Sequence, residues 1–228
     1  MDPRGDKFFD SVCPALPVLQ EMDLDICAEL ADNLTNQTVG TSEFSAEKIA
    51  SMIVGSQHLR RVALKHSDDI NSILNGHGAK VMASARKEFL AEMACASDFA
   101  NAMLAIRRWR GRSCLAVALS DLAGLCDIKT QMKWLSRAAD TALEATLAFL
   151  INLAVTRGKI DPVGPSMQGC GWTIIALGKL GAEELNYSSD VDLLILHDLA
   201  TAPIEQEQAQ TFYVGLTRDL VRLCSKAT

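Results

Sequence analysis

The sequence has 228 residues, 49% of them apolar, with 28 acidic against 22 basic side chains and a formal charge of −6. That much apolar material supports a buried core and excludes a disordered chain, while the acidic balance offers no general attraction to nucleic acid. The longest apolar runs are interrupted or too short to cross a bilayer, and the opening Met-Asp-Pro-Arg-Gly-Asp-Lys lacks the apolar stretch of a signal peptide, so no membrane is expected and the reading is cytoplasmic.

From about residue 21 to residue 157, apolar side chains recur three and four positions apart, with glycine and proline confined to breaks. This periodicity predicts helices over 21–33, 45–55, 58–65, 68–74, 80–109 and 112–125. A longer helix should start after Asp127 as its N-cap and stop near Arg157, ahead of Gly158. Its predicted apolar stripe is Met132, Leu135, Ala139, Leu143, Thr146, Leu147, Leu150 and Leu153. No fixed-period repeat is present, so a solenoid is not expected. Arg107, Arg108, Arg110 and Arg112 surround Trp109 and could meet an acidic partner, although a solvated helix end is the commoner use of such charges.

The seven cysteines (Cys13, Cys27, Cys95, Cys114, Cys126, Cys170 and Cys224) form no C-x-x-C pair and are expected to be reduced, buried small hydrophobes. The histidines His58, His66, His77 and His197 take no ligand spacing, so zinc is not expected.

Residues 158–170 concentrate prolines and glycines that a helix interior would not tolerate, and read as a linker. The period then changes. Trp172-Thr-Ile-Ile-Ala-Leu and Val191-Asp-Leu-Leu-Ile-Leu-His are β-branched apolar runs and are predicted strands. After Pro203, the spacing of Ile204, Phe212, Leu216, Leu220 and Leu223 predicts a final amphipathic helix. His197 with Asp198 closes the second strand and reads as a polar strand exit.

The chemistry is concentrated between the two strands. On an extended strand, residues two apart share a face, so Asp190 and Asp192 are expected to project together with Cα atoms roughly 6.6 Å apart. Two such carboxylates suit a magnesium ion whose shell is completed by phosphate and water. Gly178 follows the first strand directly and Gly181 comes three residues later, so the chain can turn sharply and bring backbone N–H groups close to an anion. Ser188 and Ser189 add hydroxyls, and Lys179 either contacts phosphate or is a solvated turn lysine. The glycine spacing matches neither a P-loop nor a dinucleotide fingerprint.

A strand, a glycine turn and then Asp-x-Asp on a second strand resembles the polymerase-β-like nucleotidyltransferase superfamily. More narrowly, Ala176-Leu-Gly-Lys-Leu-Gly-Ala-Glu-Glu-Leu-Asn-Tyr-Ser-Ser-Asp-Val-Asp-Leu is similar to the signature of the glutamine synthetase adenylyltransferases, with Ala116-Val-Ala-Leu-Ser-Asp-Leu-Ala-Gly-Leu-Cys-Asp-Ile resembling their helical lead-in. The resemblance implies an α+β chain: a mainly helical region (1–157), the linker (158–170) and a truncated nucleotidyltransferase α/β unit (171–228). It implies Asp190 and Asp192 as catalytic and Mg2+-binding residues, with Gly178, Lys179, Gly181, Ser188 and Ser189 on nucleotide or phosphate. The implied partners are glutamine synthetase, ATP or ADP with phosphate, and a PII-type signalling protein.

By position in the family plan, the motif corresponds to the unit that removes AMP from a glutamine synthetase tyrosine by phosphorolysis, giving ADP. The resemblance also implies a third carboxylate on a later strand, in a V-D-x-R-L-R-P-like segment absent from this sequence, so weak or no turnover by this chain alone is expected. The alternatives are a non-catalytic helical module that binds glutamine synthetase or its regulator, and a nucleotidyltransferase with another acceptor.

Overall fold

The structure, a computed structural model, describes residues 31–32, 50–51, 53–164, 167 and 169–225. The helices predicted over 21–33 and 45–55 lie largely outside the described residues. The described chain is mainly helical with one small antiparallel sheet, the α+β class expected from the change of period.

Helix α1 (Gln57–Lys65) starts at Ser56, whose hydroxyl accepts the Leu59 N–H at 3.3 Å. A short α2 (Ser67–Ser72) carries Asp68 and Asp69 in its first turn, where they complement the helix dipole. A π-type turn (Ile73–His77) leads into α3 (Gly78–Cys95), followed by α4 (Phe99–Leu122) and α5 (Ile128–Thr156).

The helix predicted over 80–109 is broken at 96–98, and the break predicted at 109–112 is absent. The Asp98 carboxylate accepts the N–H of Asn101 at 2.9 Å, a side-chain cap that starts a new helix there. Gly111 sits inside α4, where glycine costs about 1 kcal/mol relative to alanine. Packing beside it offsets that cost. Trp109 is buried, stacks on Phe89 at 5.6 Å and donates its indole N–H to the Ala138 carbonyl at 2.9 Å. Two of the clustered arginines reach back to α3, Arg108 to Glu92 at 2.9 Å and Arg112 to Glu88 at 2.6 Å. Their acidic partners lie within the chain.

Contacts divide the chain into two units, Met1–Met82 with Cys114–Ile128, and Ala83–Ser113 with Lys129–Thr228. In the first unit, Ile53, Ile70, Ile73, Leu115 and Leu119 are fully buried in one apolar cluster with Ala63 and Val81.

In the second unit, α5 begins directly after Asp127 and ends at Thr156, with the Lys159 N–H closing back on the Ala154 carbonyl at 2.9 Å. Of its predicted stripe, Leu135, Thr146 and Leu150 are buried, while Met132, Ala139, Leu143, Leu147 and Leu153 are half-buried. Polar residues share the buried face. Thr141 accepts from Arg86 Nε at 3.3 Å, Thr146 donates to the Ala142 carbonyl at 2.7 Å, and Ser136 accepts a backbone N–H from outside the helix. By length and composition alone α5 is long and apolar enough to cross a membrane, which the reading of its runs as too short did not anticipate. Its bonded polar residues and the contact of Phe149 with Phe99 at 6.0 Å mark it as a helix packed within this unit.

Strands β1 (Trp172–Ala176) and β2 (Leu193–His197) pair antiparallel, with Trp172 opposite His197 and Ala176 opposite Leu193. Between them lies one helical turn, α6 (Gly178–Gly181), and after them α7 (Gln206–Ser225). One sheet face is covered, with Trp172 buried and Ile174 and Ile195 half-buried. On the other, Ile175, Leu194 and Leu196 are 42% to 46% exposed. Helix α7 buries Tyr213, Leu216, Leu220 and Leu223, three of them on its predicted stripe, while Phe212 is only half-buried.

Candidate active site

Strand β1 hands the chain directly to the glycine corner. The pairing continues one step past the strands: the Leu177 N–H donates to the Asp192 carbonyl at 2.9 Å, the rung that follows Ala176 opposite Leu193. At Gly178 the chain leaves the ladder with φ +54, a left-handed conformation that a side chain resists. A Cβ at Gly178 would stand 2.8 Å from Asp192 Oδ2, so the carboxylate occupies the space that a side chain would need. At Gly181 the conflict is with backbone, since a Cβ there would stand 2.5 Å from the Ala176 carbonyl oxygen. Glycine is thus favoured at 178 by its left-handed backbone, with the Asp192 carboxylate lying in the open space, and required at 181 by the backbone of the strand end.

Asp190 and Asp192 were expected on the second strand. They lie just ahead of it, because β2 begins at Leu193. Asp192 keeps its place in the ladder through its carbonyl, and both side chains are exposed. Among the described residues neither makes an ion pair. Gly178 and Lys179 are exposed too, whereas Leu180 and Leu185 are buried and anchor the two ends of the turn.

The predicted serines separate. The Ser189 hydroxyl accepts the Asn186 N–H at 3.1 Å and donates to Asn186 Oδ1 at 2.7 Å, which closes a compact turn. The Ser188 N–H donates to the same Oδ1 at 3.2 Å, and its side chain is exposed. Ser189 thus shapes the approach to the carboxylates before it is available to any phosphate. Asn186 organises this turn and was not singled out from the sequence, although an asparagine two and three residues ahead of a serine pair is a turn signal.

Three acidic groups gather beside the corner. The Asp140 carboxyl is raised above its ordinary range by burial, then by the neighbouring Glu144 and Glu183. Glu183 lies 3.9 Å from Arg137. On the far end of the sheet, His197 Nε2 meets Gln210 Oε1 at 3.0 Å and its ring lies 5.2 Å from that of Tyr213, while Asp198 accepts from the Ala200 N–H and the Thr201 hydroxyl. These are the structural bonds of a strand exit. The buried Tyr213 hydroxyl donates to the Cys170 carbonyl at 2.9 Å, and burial pushes its pKa up.

Among the described residues no three His, Cys, Asp or Glu side chains form a metal cluster. The corner offers two carboxylates, which is the number magnesium commonly takes from protein when phosphates and water complete its shell. Hard oxygen donors beside a glycine with no Cβ fit that ion. A cavity of about 590 Å³ lies elsewhere, lined by Phe99, Leu150, Arg157, Phe212 and Leu216 among others, and no corner residue lines it.

Comparison with known proteins bears on the same segment. The family model described as glutamate-ammonia ligase adenylyltransferase matches residues 46–228. A bifunctional glutamine synthetase adenylyltransferase/adenylyl-removing enzyme of Xanthobacter autotrophicus is 40% identical over 158 residues, covering 68% of this chain and 15% of that protein. Its counterpart in Bradyrhizobium diazoefficiens is 33% identical over 196 residues, covering 85% of this chain and 19% of that protein. One from Rhodopseudomonas palustris is 36% identical over 136 residues, covering 58% and 14%. The chain thus spans less than a fifth of the length of these curated relatives. It belongs to the glutamate-ammonia ligase adenylyltransferase family, whose match takes in the glycine corner and the aspartate pair.

Proposed function

We propose that the chain is the adenylyl-removing part of a glutamine synthetase adenylyltransferase, acting on an adenylylated tyrosine of glutamine synthetase by phosphorolysis to give ADP. The observation that carries this reading is the Leu177–Asp192 rung, which sets the Asp192 carboxylate against the open Cα of Gly178 at an exposed corner. Asp190 and Asp192 would hold Mg2+, which supplies charge neutralisation at the phosphates during transfer. The N–H groups of the glycine corner and the Ser188 hydroxyl orient phosphate oxygens, and Lys179 adds a cationic contact. Ser189 acts through the turn it closes. Such chemistry asks for positioning and charge stabilisation and needs no protein nucleophile.

Glutamine synthetase, ATP or ADP with phosphate, and a PII-type regulator are the partners that go with this role, and a cytoplasmic setting goes with those partners. The corner contributes two carboxylates to this role. ADP binding tests it. The 228-residue chain should bind ADP only with magnesium, and Asp190→Asn and Asp192→Asn should each weaken binding by roughly tenfold to a hundredfold. Equal affinity with and without magnesium, or full affinity in both variants, rules the reading out and leaves a helical module that binds glutamine synthetase without chemistry.

A further inference from the structure

Behind the exposed corner, one buried hydrogen bond ties it to the long helix. Ser136, on α5, is fully buried, and its Oγ accepts the N–H of Leu185 at 3.1 Å across 49 residues of chain. Leu185 stands between Glu183, whose backbone is left-handed at φ +57, and the Asn186–Ser189 turn that leads to the carboxylates. The next residue on the helix, Arg137, is the one that reaches Glu183.

A hydroxyl inside a helix commonly bonds back to its own backbone. Ser113 does so with the Trp109 carbonyl at 2.7 Å, and Thr146 with that of Ala142. Ser136 instead serves as acceptor for a distant strand-connecting arm. The buried side chains of Leu180 and Leu185 supply adhesion, but apolar contact is non-directional and tolerates sliding. A directed bond does not, because a buried N–H moved off its acceptor is left unsatisfied.

We infer that Ser136 is a positioning residue for the 178–192 corner: it fixes the seat of Leu185, and through it the place where Asp190 and Asp192 are presented. The consequence for ligand binding rests on the function proposed above; the mechanical claim does not. In the 228-residue chain without ligand, Ser136→Ala is expected to speed hydrogen exchange at the Leu185 amide about tenfold and to move the amide resonances of residues 186–192. Ser113→Ala removes another buried hydroxyl, one bonded only within its own helix, and should leave those resonances in place. With magnesium and ADP, the Ser136→Ala chain should bind about tenfold more weakly and the Ser113→Ala chain as the unaltered one. Should Ser136→Ala fail to fold, Ser136→Cys keeps the shape with a weaker acceptor and gives the same readouts.

Unmoved 186–192 resonances in the Ser136 variants, equal movement in Ser113→Ala, or undiminished affinity for magnesium and ADP would each overturn the inference. Failure of the unaltered chain to bind magnesium and ADP overturns the proposed function instead, and the ligand-free resonances still decide the role of Ser136.

Discussion

Two polar segments stand out in this sequence, the arginines around Trp109 and the glycine–aspartate stretch, and they are held in opposite ways. Around Trp109 the chain is held by bulk: an indole stacked on Phe89, its N–H bonded to Ala138, and arginines paired with Glu88 and Glu92. At the corner the chain is held by the lack of bulk, since a single added methyl at Gly178 or Gly181 meets a carboxylate or a carbonyl. Atoms removed should damage the first region, and atoms added the second. The first also pairs two of its arginines internally, while the second leaves its carboxylates exposed.

Trp109→Ala should break the first region most severely, with a loss of about 3–5 kcal/mol for an emptied aromatic site, measurable by denaturant unfolding. Gly181→Ala should cost about 1–3 kcal/mol, because the atom in the way is backbone and cannot swing aside. Gly178→Ala sharpens the contrast. Its obstacle is the end of the Asp192 side chain, which can rotate away, so the stability loss should be about 1–2 kcal/mol from the left-handed backbone alone. The displaced carboxylate should show instead in a titration with magnesium and ADP, as an affinity loss larger than that of Gly181→Ala once both are measured on folded protein. Arg108→Gln removes an exposed ion pair and should change stability by less than about 1 kcal/mol, with no effect on nucleotide binding.

The smallest effect concerns Asp140, whose carboxyl is raised by burial and by Glu144 and Glu183, while Arg137 neutralises part of Glu183. For an acid raised in the folded state, the ionised form disfavours folding above that raised value, and the penalty fades as pH falls through it. Asp140→Asn should therefore raise Tm slightly at pH 7, with the gain shrinking towards about pH 4, the ordinary carboxylate range. A gain that grows on acidification would contradict the assigned cause.

The glycine corner could be read from sequence because its determinants are local: β-branched runs on either side, two glycines and a pair of aspartates within one short stretch. The strand start was placed slightly too early, since the apolar run includes Val191 while the regular pairing begins at Leu193. Helix breaks were misplaced for a related reason. Gly111 is a poor helix former by itself, but Trp109 packing outweighs it, and the cap at Asp98 is a single side-chain bond within a strongly helical pattern. The bond from Leu185 to Ser136 left no local signal at all. A serine inside an amphipathic helix looks the same whether it bonds its own turn or a segment 49 residues away.

Because the rung joining Leu177 to Asp192 is the last before the chain departs at Gly178, it is also where the hairpin would begin to fray. Any excursion of the Asp192 main chain must unzip that end, so loss of the bond at Leu177 and wandering of the acid group are a single event seen from two places. A reporter placed at Leu177, on a side chain that does no chemistry, would clock how often the carboxylate-bearing end of the loop lets go.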